Sequence, residues 1–340
     1  MDSALYDVII IGGGPAGVAA AVYCARKKLK TLIIAVSFGG QSIVSADIEN
    51  WIGETHISGI ELSKKLEAHV RAYPEVVEVK SSEKVTNVIN VACNGEGEPR
   101  ICDFEVTTDK QSLPSAGAEG KATYKGKTVI IASGARRRKL GIPGEEQFSG
   151  KGVAFCSTCD APLFRDKKVV VVGGGNTGLE GVIDLFPYAS EVYLMDGGPA
   201  LKGDPATVDE VKKNPKLKEI ILNAKPKEII GETLVTGLKY EIDGQEKLLE
   251  VGGVFVEIGS VPNSEMVKDL VQIDEHGQII MNFQHARTSH PGVFAAGDVT
   301  NDPYKQNNIS VGDGVRAALS AYAYLLNRAK LSPAEEKPHA

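Results

Sequence analysis

The sequence predicts an α/β fold in two halves, each a three-layer arrangement of a parallel central sheet with an added β-meander, the second half inserted into the first. Three observations predict it. One unit of strand, glycine-rich turn, helix and strand occurs twice, over residues 6–36 and 167–196. The strands of both copies (Val8-Ile-Ile-Ile11 and Val169-Val-Val-Val172) are continuously apolar, as strands buried on both faces of a parallel sheet must be. After the second copy the chain returns to short apolar runs at 254–258, 278–281 and 293–296, which are expected to complete the first half.

In chain order, the first copy places an Ala-rich helix between its turn and the strand Leu29–Val36. Residues 48–84 read as largely helical, with Leu62, Leu66, His69 and Val70 at helical spacing. From Lys84 the pattern is strand-like through Val85, Val88 and Val91, turns at Gly95-Glu-Gly-Glu-Pro99, and resumes from Ile101 to Thr107. Residues 110–122 are polar and loop-like. A strand at Val129–Ala132 ends in Ser133-Gly134, and Ile142-Pro143-Gly144 marks a linker. A second linker is expected near 249–253, so the expected domains are 1–134 with 250–328, and 135–249. A helix over Gly312–Leu326 follows, and 329–340 reads as a flexible tail.

The two turns, Gly12-Gly-Gly14-Pro15-Ala16-Gly17 and Gly173-Gly-Gly175-Asn176-Thr177-Gly178, carry Gly-x-Gly-x-x-Gly spacing. In such a unit the first glycine allows the tight turn and the second admits a pyrophosphate to the backbone. The third lets the helix pack close to its strand. The phosphates then meet unpaired N–H groups at the helix start. One such turn also arises for packing alone. Two, about 160 residues apart and each between a strand and a helix, point to two Rossmann-like domains and two bound dinucleotides. Residues 292–300 end a short apolar strand in Gly297-Asp298. A small residue before an acid can admit a polyhydroxylated chain such as the ribityl of a flavin; an ordinary Asx turn also fits.

Composition excludes other classes. With 38 basic and 44 acidic residues the net charge is −6, which gives no footprint for nucleic acid and no polybasic membrane anchor. No apolar run reaches the roughly 18 residues of a membrane span, and no basic residue precedes Arg26, so no secretory signal is read. A soluble cytoplasmic protein is expected. Five cysteines are too few for a disulfide scaffold.

Cys156-Ser157-Thr158-Cys159 precedes the second glycine turn. Thiols at this spacing close a small disulfide, and a nearby helix N-terminus would favour thiolate. Zinc would need a second pair of ligands at similar spacing, and the six histidines form no cluster, so no metal site is expected. Asp160 follows the pair; it can exchange a proton with a leaving thiolate or cap a helix. If the hairpin turns at 97–98, Cys93 and Cys102 face one another at about 4.5–5.5 Å; in a reducing cytosol they are expected as two buried thiols. Cys24 is expected in the core.

In combination these motifs, with Phe38-Gly39-Gly40-Gln41, Asp47-Ile48-Glu49-Asn50 and Pro303-Tyr304-Lys305-Gln306, resemble the low-molecular-weight thioredoxin reductase family from about residue 5 to 328. They are closest to the reductase portion of the alkyl hydroperoxide reductase flavoprotein subunit, whose N-terminal thioredoxin-like extension is expected to be missing here. The resemblance implies an FAD site at Gly12, Gly14, Pro15, Ala16, Gly17, Gly40, Gln41, Asn50, Gly134, Gly297, Asp298, Lys305 and Gln306. It implies a nicotinamide site at Gly173, Gly175, Asn176, Thr177, Gly178 and Asp196, catalysis by Cys156, Cys159 and Asp160, and a homodimer. Cys159 would lie nearer the flavin and Cys156 nearer the exchange with the partner. The family alternates two domain orientations, and two short linkers suit such a rotation.

The chain departs from the family pattern twice. No Arg lies between Arg165 and Arg287, so none follows the second strand of this domain, at residues 195–202, to clamp a 2′-phosphate. Asp196 instead stands 23 residues after Gly173, near the position at which an acid binds the ribose 2′-OH of NAD. NADH is therefore expected and NADPH disfavoured, although a plain turn residue also fits Asp196. The second departure is Ile34-Ala35-Val36, where an acid often holds the ribose of FAD. The leading expectation is an NADH-dependent flavoprotein disulfide reductase acting on a thioredoxin-, glutaredoxin- or peroxiredoxin-system protein. Alternatives are a ferredoxin-dependent enzyme with a degenerate nicotinamide site, a small-molecule dithiol oxidase using oxygen, and a flavin-bound redox sensor.

Overall fold

The two apolar runs Val8–Ile11 and Val169–Val172 form the centres of two separate parallel sheets in the computed structural model, which describes residues 5–45, 47–94, 101–110 and 120–331. Six α-helices lie among the described residues: α1 (Pro15–Arg26), α2 (Gly59–Arg71), α3 (Ser157–Asp160), α4 (Asn176–Leu185), α5 (Pro205–Lys213) and α6 (Asn307–Leu331). The chain divides into two units. The first comprises Met1–Ile43, Gly59–Arg136 and Val261–Ala340, and the second comprises Val44–Ser58 and Arg137–Ser260.

In the first unit the strands Val293–Ala295, Val129–Ile131, Val8–Gly13, Thr31–Phe38 and Val77–Ser81 lie side by side, all parallel. Ile9 and Ile10 are fully buried because helices cover one face and a meander the other. The meander runs Glu83–Asn94, Ile101–Lys110 and Gly120–Gly126, antiparallel, with Leu5–Tyr6 added in parallel at its edge. Phe104 and Val106 of the meander share one core with Ile9, Ile11 and Leu32. α1 packs against α6, and a Cβ on Gly314 would overlap the Ala16 backbone, so only glycine permits that approach.

The second unit repeats the plan. Val153–Ala154, Gly253–Val256, Lys168–Val172, Glu191–Met195 and Leu217–Ile221 form a parallel sheet. Lys225–Gly231, Val235–Ile242 and Gln245–Leu249 form an antiparallel meander. Val170, Val172 and Val254 join the meander's Ile229 and Leu238 in one core, while Val169, Val171 and Phe255 pack on Leu179 and Val182 of α4. The fold is two Rossmann-like domains.

Five expectations are corrected. The run at 254–258 belongs to the second sheet, since Gly253–Val256 pairs with Lys168–Val172; the chain therefore crosses back after Ser260 rather than near 250. Of residues 48–84 only α2 is helical: Ile48 pairs with Ile57, Pro74 follows the helix end, and Val77–Ser81 is the sheet's edge strand. The run at 278–281 is no strand, because Ile279 makes only single bridges to Ile273 and Thr300. α6 continues to Leu331, past the expected start of the tail; the remainder of the tail, 332–340, lies outside the described residues. Cys93 and Cys102 are paired in register across their hairpin as expected, but Cys102 is disulfide-bonded rather than a thiol. The hairpin turn itself and residues 111–119 of the expected loop lie outside the described residues. Cys24 is a buried free thiol whose pKa burial pushes up to about 12.

Candidate active site

Cys156 and Cys159 are joined in a disulfide with their Cα atoms 5.3 Å apart. Cys156 occupies the N-cap position of α3, and the single helical turn carries Cys159 and Asp160. The first N–H of that turn does not serve a thiolate. Ser157 N–H donates to Glu257 Oε1 at 3.1 Å. On the other side, Asp184 Oδ2 accepts the Ser157 hydroxyl at 2.8 Å and the Thr158 hydroxyl at 3.0 Å. Neither Glu257 nor Asp184 was expected at this site. They lie 100 and 27 residues from Ser157, and only an acid directly after the apolar run Val254-Phe-Val256 hinted at Glu257.

Asp160 begins a 3₁₀ turn, but its side chain caps nothing. Burial pushes its carboxyl up to about 6, and the Arg137 guanidinium opposes the shift. Burial likewise pushes Glu257 up to about 7, against Arg137 and the Ser157 N–H. A carboxyl held near neutrality can both give and take a proton at physiological pH, which a thiol–disulfide step requires.

The adjoining turn is built for an anion. Gly173 has φ +133°, and its Cβ would overlap the Glu257 carbonyl. A Cβ on Gly178 would overlap the Gly173 carbonyl oxygen, so the turn closes on its helix only with glycine at both places. Gly175, at the start of α4, faces open space and has no side-chain cap, leaving the helix N-terminus for a phosphate. Asp196 lies beneath the turn. Its Oδ2 accepts the Gly174 N–H and its Oδ1 the Gly198 N–H, both at 2.7 Å. Asn176 and Thr177 are at the open end of the turn, and Asn176 Oδ1 accepts the Asp204 N–H at 2.7 Å. These residues fit a dinucleotide.

The first unit holds the second such turn. A Cβ on Gly12 (φ +118°) would overlap the Ala132 carbonyl, and one on Gly17 would overlap the Gly12 carbonyl oxygen. Pro15 opens α1 and Ala16 is buried beside it. Gly14 and Gly40 face one another, a Cβ on Gly40 falling 3.4 Å from the Gly14 Cα, which leaves a bare backbone cradle. Gln41 Nε2 donates to Asp298 Oδ2 at 3.2 Å, and the Ser310 hydroxyl reaches Asp298 Oδ1 at 3.4 Å. Gly297 (φ +75°) donates its N–H to Asp313 at 3.3 Å. Burial lowers the Lys305 pKa, and its Nζ donates to the Thr300 carbonyl at 2.6 Å, while the Gln306 carbonyl accepts the Ser310 N–H in the first turn of α6. Gly134 (φ +67°) faces open space, and its carbonyl accepts the Asn263 N–H at 2.9 Å. Glycine turn, cradle and the Gln41–Asp298 pair suit the pyrophosphate and polyol of a flavin dinucleotide. Asn50 belongs to the segment 44–58, which groups with the second unit rather than with this set. Nothing in the sequence marks Asp313 and Ser310, which look like ordinary residues of the α6 pattern.

Among the described residues one group of metal-ligand side chains comes together, Asp47, Glu49 and His56, with ligand atoms within 4.8 Å of one another. It is solvent-facing and separate from the disulfide in sequence, and His56 Nδ1 is 2.9 Å from Asp47.

Residues 6–318 match the family model described as pyridine nucleotide-disulphide oxidoreductase. The chain is 42% identical over 323 residues to the F subunit of alkyl hydroperoxide reductase from Staphylococcus aureus (strain MRSA252), covering 94% of this chain and 59% of that protein. It is 38% identical over 333 residues to a protein of Ferdinandcohnia aciditolerans named NADH dehydrogenase, covering 97% and 59%. The chain thus spans about three-fifths of the length of these relatives. Thioredoxin reductase from Streptococcus pyogenes MGAS5005 superposes with a TM-score of 0.83 at 37% identity, covering 96% of this chain and all of that one. Thioredoxin reductase from Giardia duodenalis does so at 0.81 and 29%, covering 95% and 99%. With its paired glycine turns and the disulfide at 156–159, the chain belongs to the pyridine nucleotide-disulphide oxidoreductases and is thioredoxin reductase-like.

Proposed function

We propose that this protein is an NADH-dependent flavoprotein disulfide reductase that passes electrons through FAD and the Cys156–Cys159 disulfide to a protein disulfide of the thioredoxin, glutaredoxin or peroxiredoxin systems. The observation that carries the reading is the disulfide at 156–159 next to a carboxyl, Asp160, held near 6. FAD would supply the two-electron relay between a nicotinamide and a disulfide. The chain's own residues do the rest. Gly14 and Gly40 bare the backbone to a pyrophosphate, Gln41 and Asp298 present polar groups to a polyol, and Asp160 holds the proton that a departing sulfur takes up.

Support for NADH over NADPH comes from Asp196, whose negative charge at the edge of the turn opposes a 2′-phosphate, and from the missing arginines between 165 and 287. The name of the Ferdinandcohnia relative agrees with that choice. The intact turn at 173–178 weighs against electron supply by ferredoxin alone. A homodimer in the cytoplasm belongs to the same reading; no helix among the described residues is long and apolar enough to cross a membrane.

An anaerobic titration of the flavin-loaded protein with NADH, NADPH and reduced ferredoxin in parallel tests it. Bleaching by NADH far more readily than by NADPH supports the reading. Equal bleaching by both removes the coenzyme assignment, and bleaching by ferredoxin alone replaces it. Rapid reoxidation by oxygen with a small dithiol, but with no protein disulfide, would identify a dithiol oxidase instead.

A further inference from the structure

We propose that Asp184 and Glu257 are positioning residues of the disulfide step, clamping the Ser157–Thr158 link so that the two sulfurs stay at closing distance after the bond between them is broken. The proposal rests on Cys156 and Cys159 being the reacting pair. Three donors of the two-residue link are given outward to these acids. Ser157 N–H goes to Glu257, and the Ser157 and Thr158 hydroxyls both go to Asp184.

The clamp is needed because α3 is a single turn, and an isolated turn of this length does not hold itself. Both acids stand on elements that do. Glu257 follows a fully buried strand and its own N–H is bonded to Val172 at 2.9 Å. Asp184 lies on α4, whose first turn is wedged under the glycine turn. Gly181 of α4 marks where these elements meet the link. A Cβ there would lie 3.4 Å from Glu257 Cγ and 3.5 Å from Ser157 Cβ, ordinary contact distances, so the link and Glu257 both lie against this face of the helix.

The charges argue for geometry rather than thiolate stabilisation. Asp160 of α3 and Asp184 of α4 both face Glu257, with Arg137 as the opposing cation. Negative charge gathered around the link disfavours a further anion on the adjoining cysteines. What hydrogen bonds to the link provide is a high effective concentration of one sulfur near the other. Closing the ring removes two electrons and two protons from the Cys156 and Cys159 thiols and forms their S–S bond. An external disulfide takes up both electrons and both protons and becomes two thiols.

The test is the equilibrium constant for ring closure of the full chain against oxidised and reduced dithiothreitol, read by alkylation and mass. No coenzyme or partner enters this measurement, so its outcome is separate from that of the flavin titration. Asp184→Ala and Glu257→Ala are each expected to lower the constant about tenfold, equivalent to about 30 mV for a two-electron couple. Asp184→Asn and Glu257→Gln keep an acceptor oxygen and are expected to stay within about twofold of wild type. If an alanine variant does not fold, Ser157→Ala with Thr158→Val removes the hydroxyl handles alone and is expected to show the same loss as Asp184→Ala. Alanine variants indistinguishable from wild type would overturn the clamp. Amide variants displaced as far as alanine would overturn it too, since charge and not held geometry would then set the constant.

Discussion

The Asp196 carboxylate spans the second glycine turn, accepting the Gly174 N–H through one oxygen and the Gly198 N–H through the other, each at 2.7 Å. Asp196 therefore builds the turn as well as charging it. Hydrogen bonds to an ionised group contribute about 1.5–3 kcal/mol. Asp196→Ala is expected to loosen the turn and lower kcat/KM for NADH at least about tenfold, while the ratio of NADH to NADPH rates falls. Steady-state rates with the two coenzymes check it; an unchanged ratio means that the discrimination lies elsewhere.

Asp160 is expected to act in its protonated form. Asp160→Asn should slow dithiol exchange by about 10²–10⁴-fold, the usual yield of acid–base catalysis. In the wild type the Asp160-dependent step should weaken as pH rises through about 6. Stopped-flow reduction of a protein disulfide across pH 5–8 measures this, and the asparagine variant should lack that limb.

The two raised carboxyls also make stability depend on pH. Asp160 and Glu257 ionise near their ordinary values, 3.8 and 4.5, when unfolded but at about 6 and about 7 when folded. Between those limits the folded chain holds more protons, so their contribution is fully present below about 4 and is lost as pH rises through about 7. Thermal unfolding should therefore occur at a higher temperature at pH 5.5 than at pH 8 as far as these groups are concerned. Glu257→Gln, which cannot ionise, should shrink that difference. A Tm difference unchanged by the substitution would count against a raised Glu257.

Gly17 and Gly178 occupy equivalent places in the two turns, and at each an added methyl would overlap the carbonyl of its turn's first glycine. Overpacking of this kind costs about 1–3 kcal/mol or more. Gly17→Ala should yield protein with little bound flavin. Gly178→Ala should retain the flavin and lose its response to NADH. Absorbance of the purified variants, before and after anaerobic NADH, separates the two.

Much of this was legible in the residues because it is local. A glycine turn announces itself within six residues, an unbroken apolar run within four, and the cysteine pair within four. What is not local is not legible, because the partners are remote. The run at 254–258 carries no mark of which sheet it joins, and only the folded chain pairs it with Lys168–Val172. The spacing of Cys93 and Cys102 sets them opposite one another across a hairpin, but the state of Cys102 depends on tertiary geometry.

By itself, then, the sequence determined the two Rossmann-like units, the close cysteine pair at 156 and 159 and the absence of arginine between 165 and 287, since each is written in spacing and residue type. Only the tertiary structure decided that Glu257 and Asp184 meet the Ser157–Thr158 link and that Asp196 braces its own turn. It also decided that Asp313 backs Gly297. The physical reason is that a carboxylate finds its donor through the folding of separate elements, and no period or motif records a hydrogen bond across 100 residues.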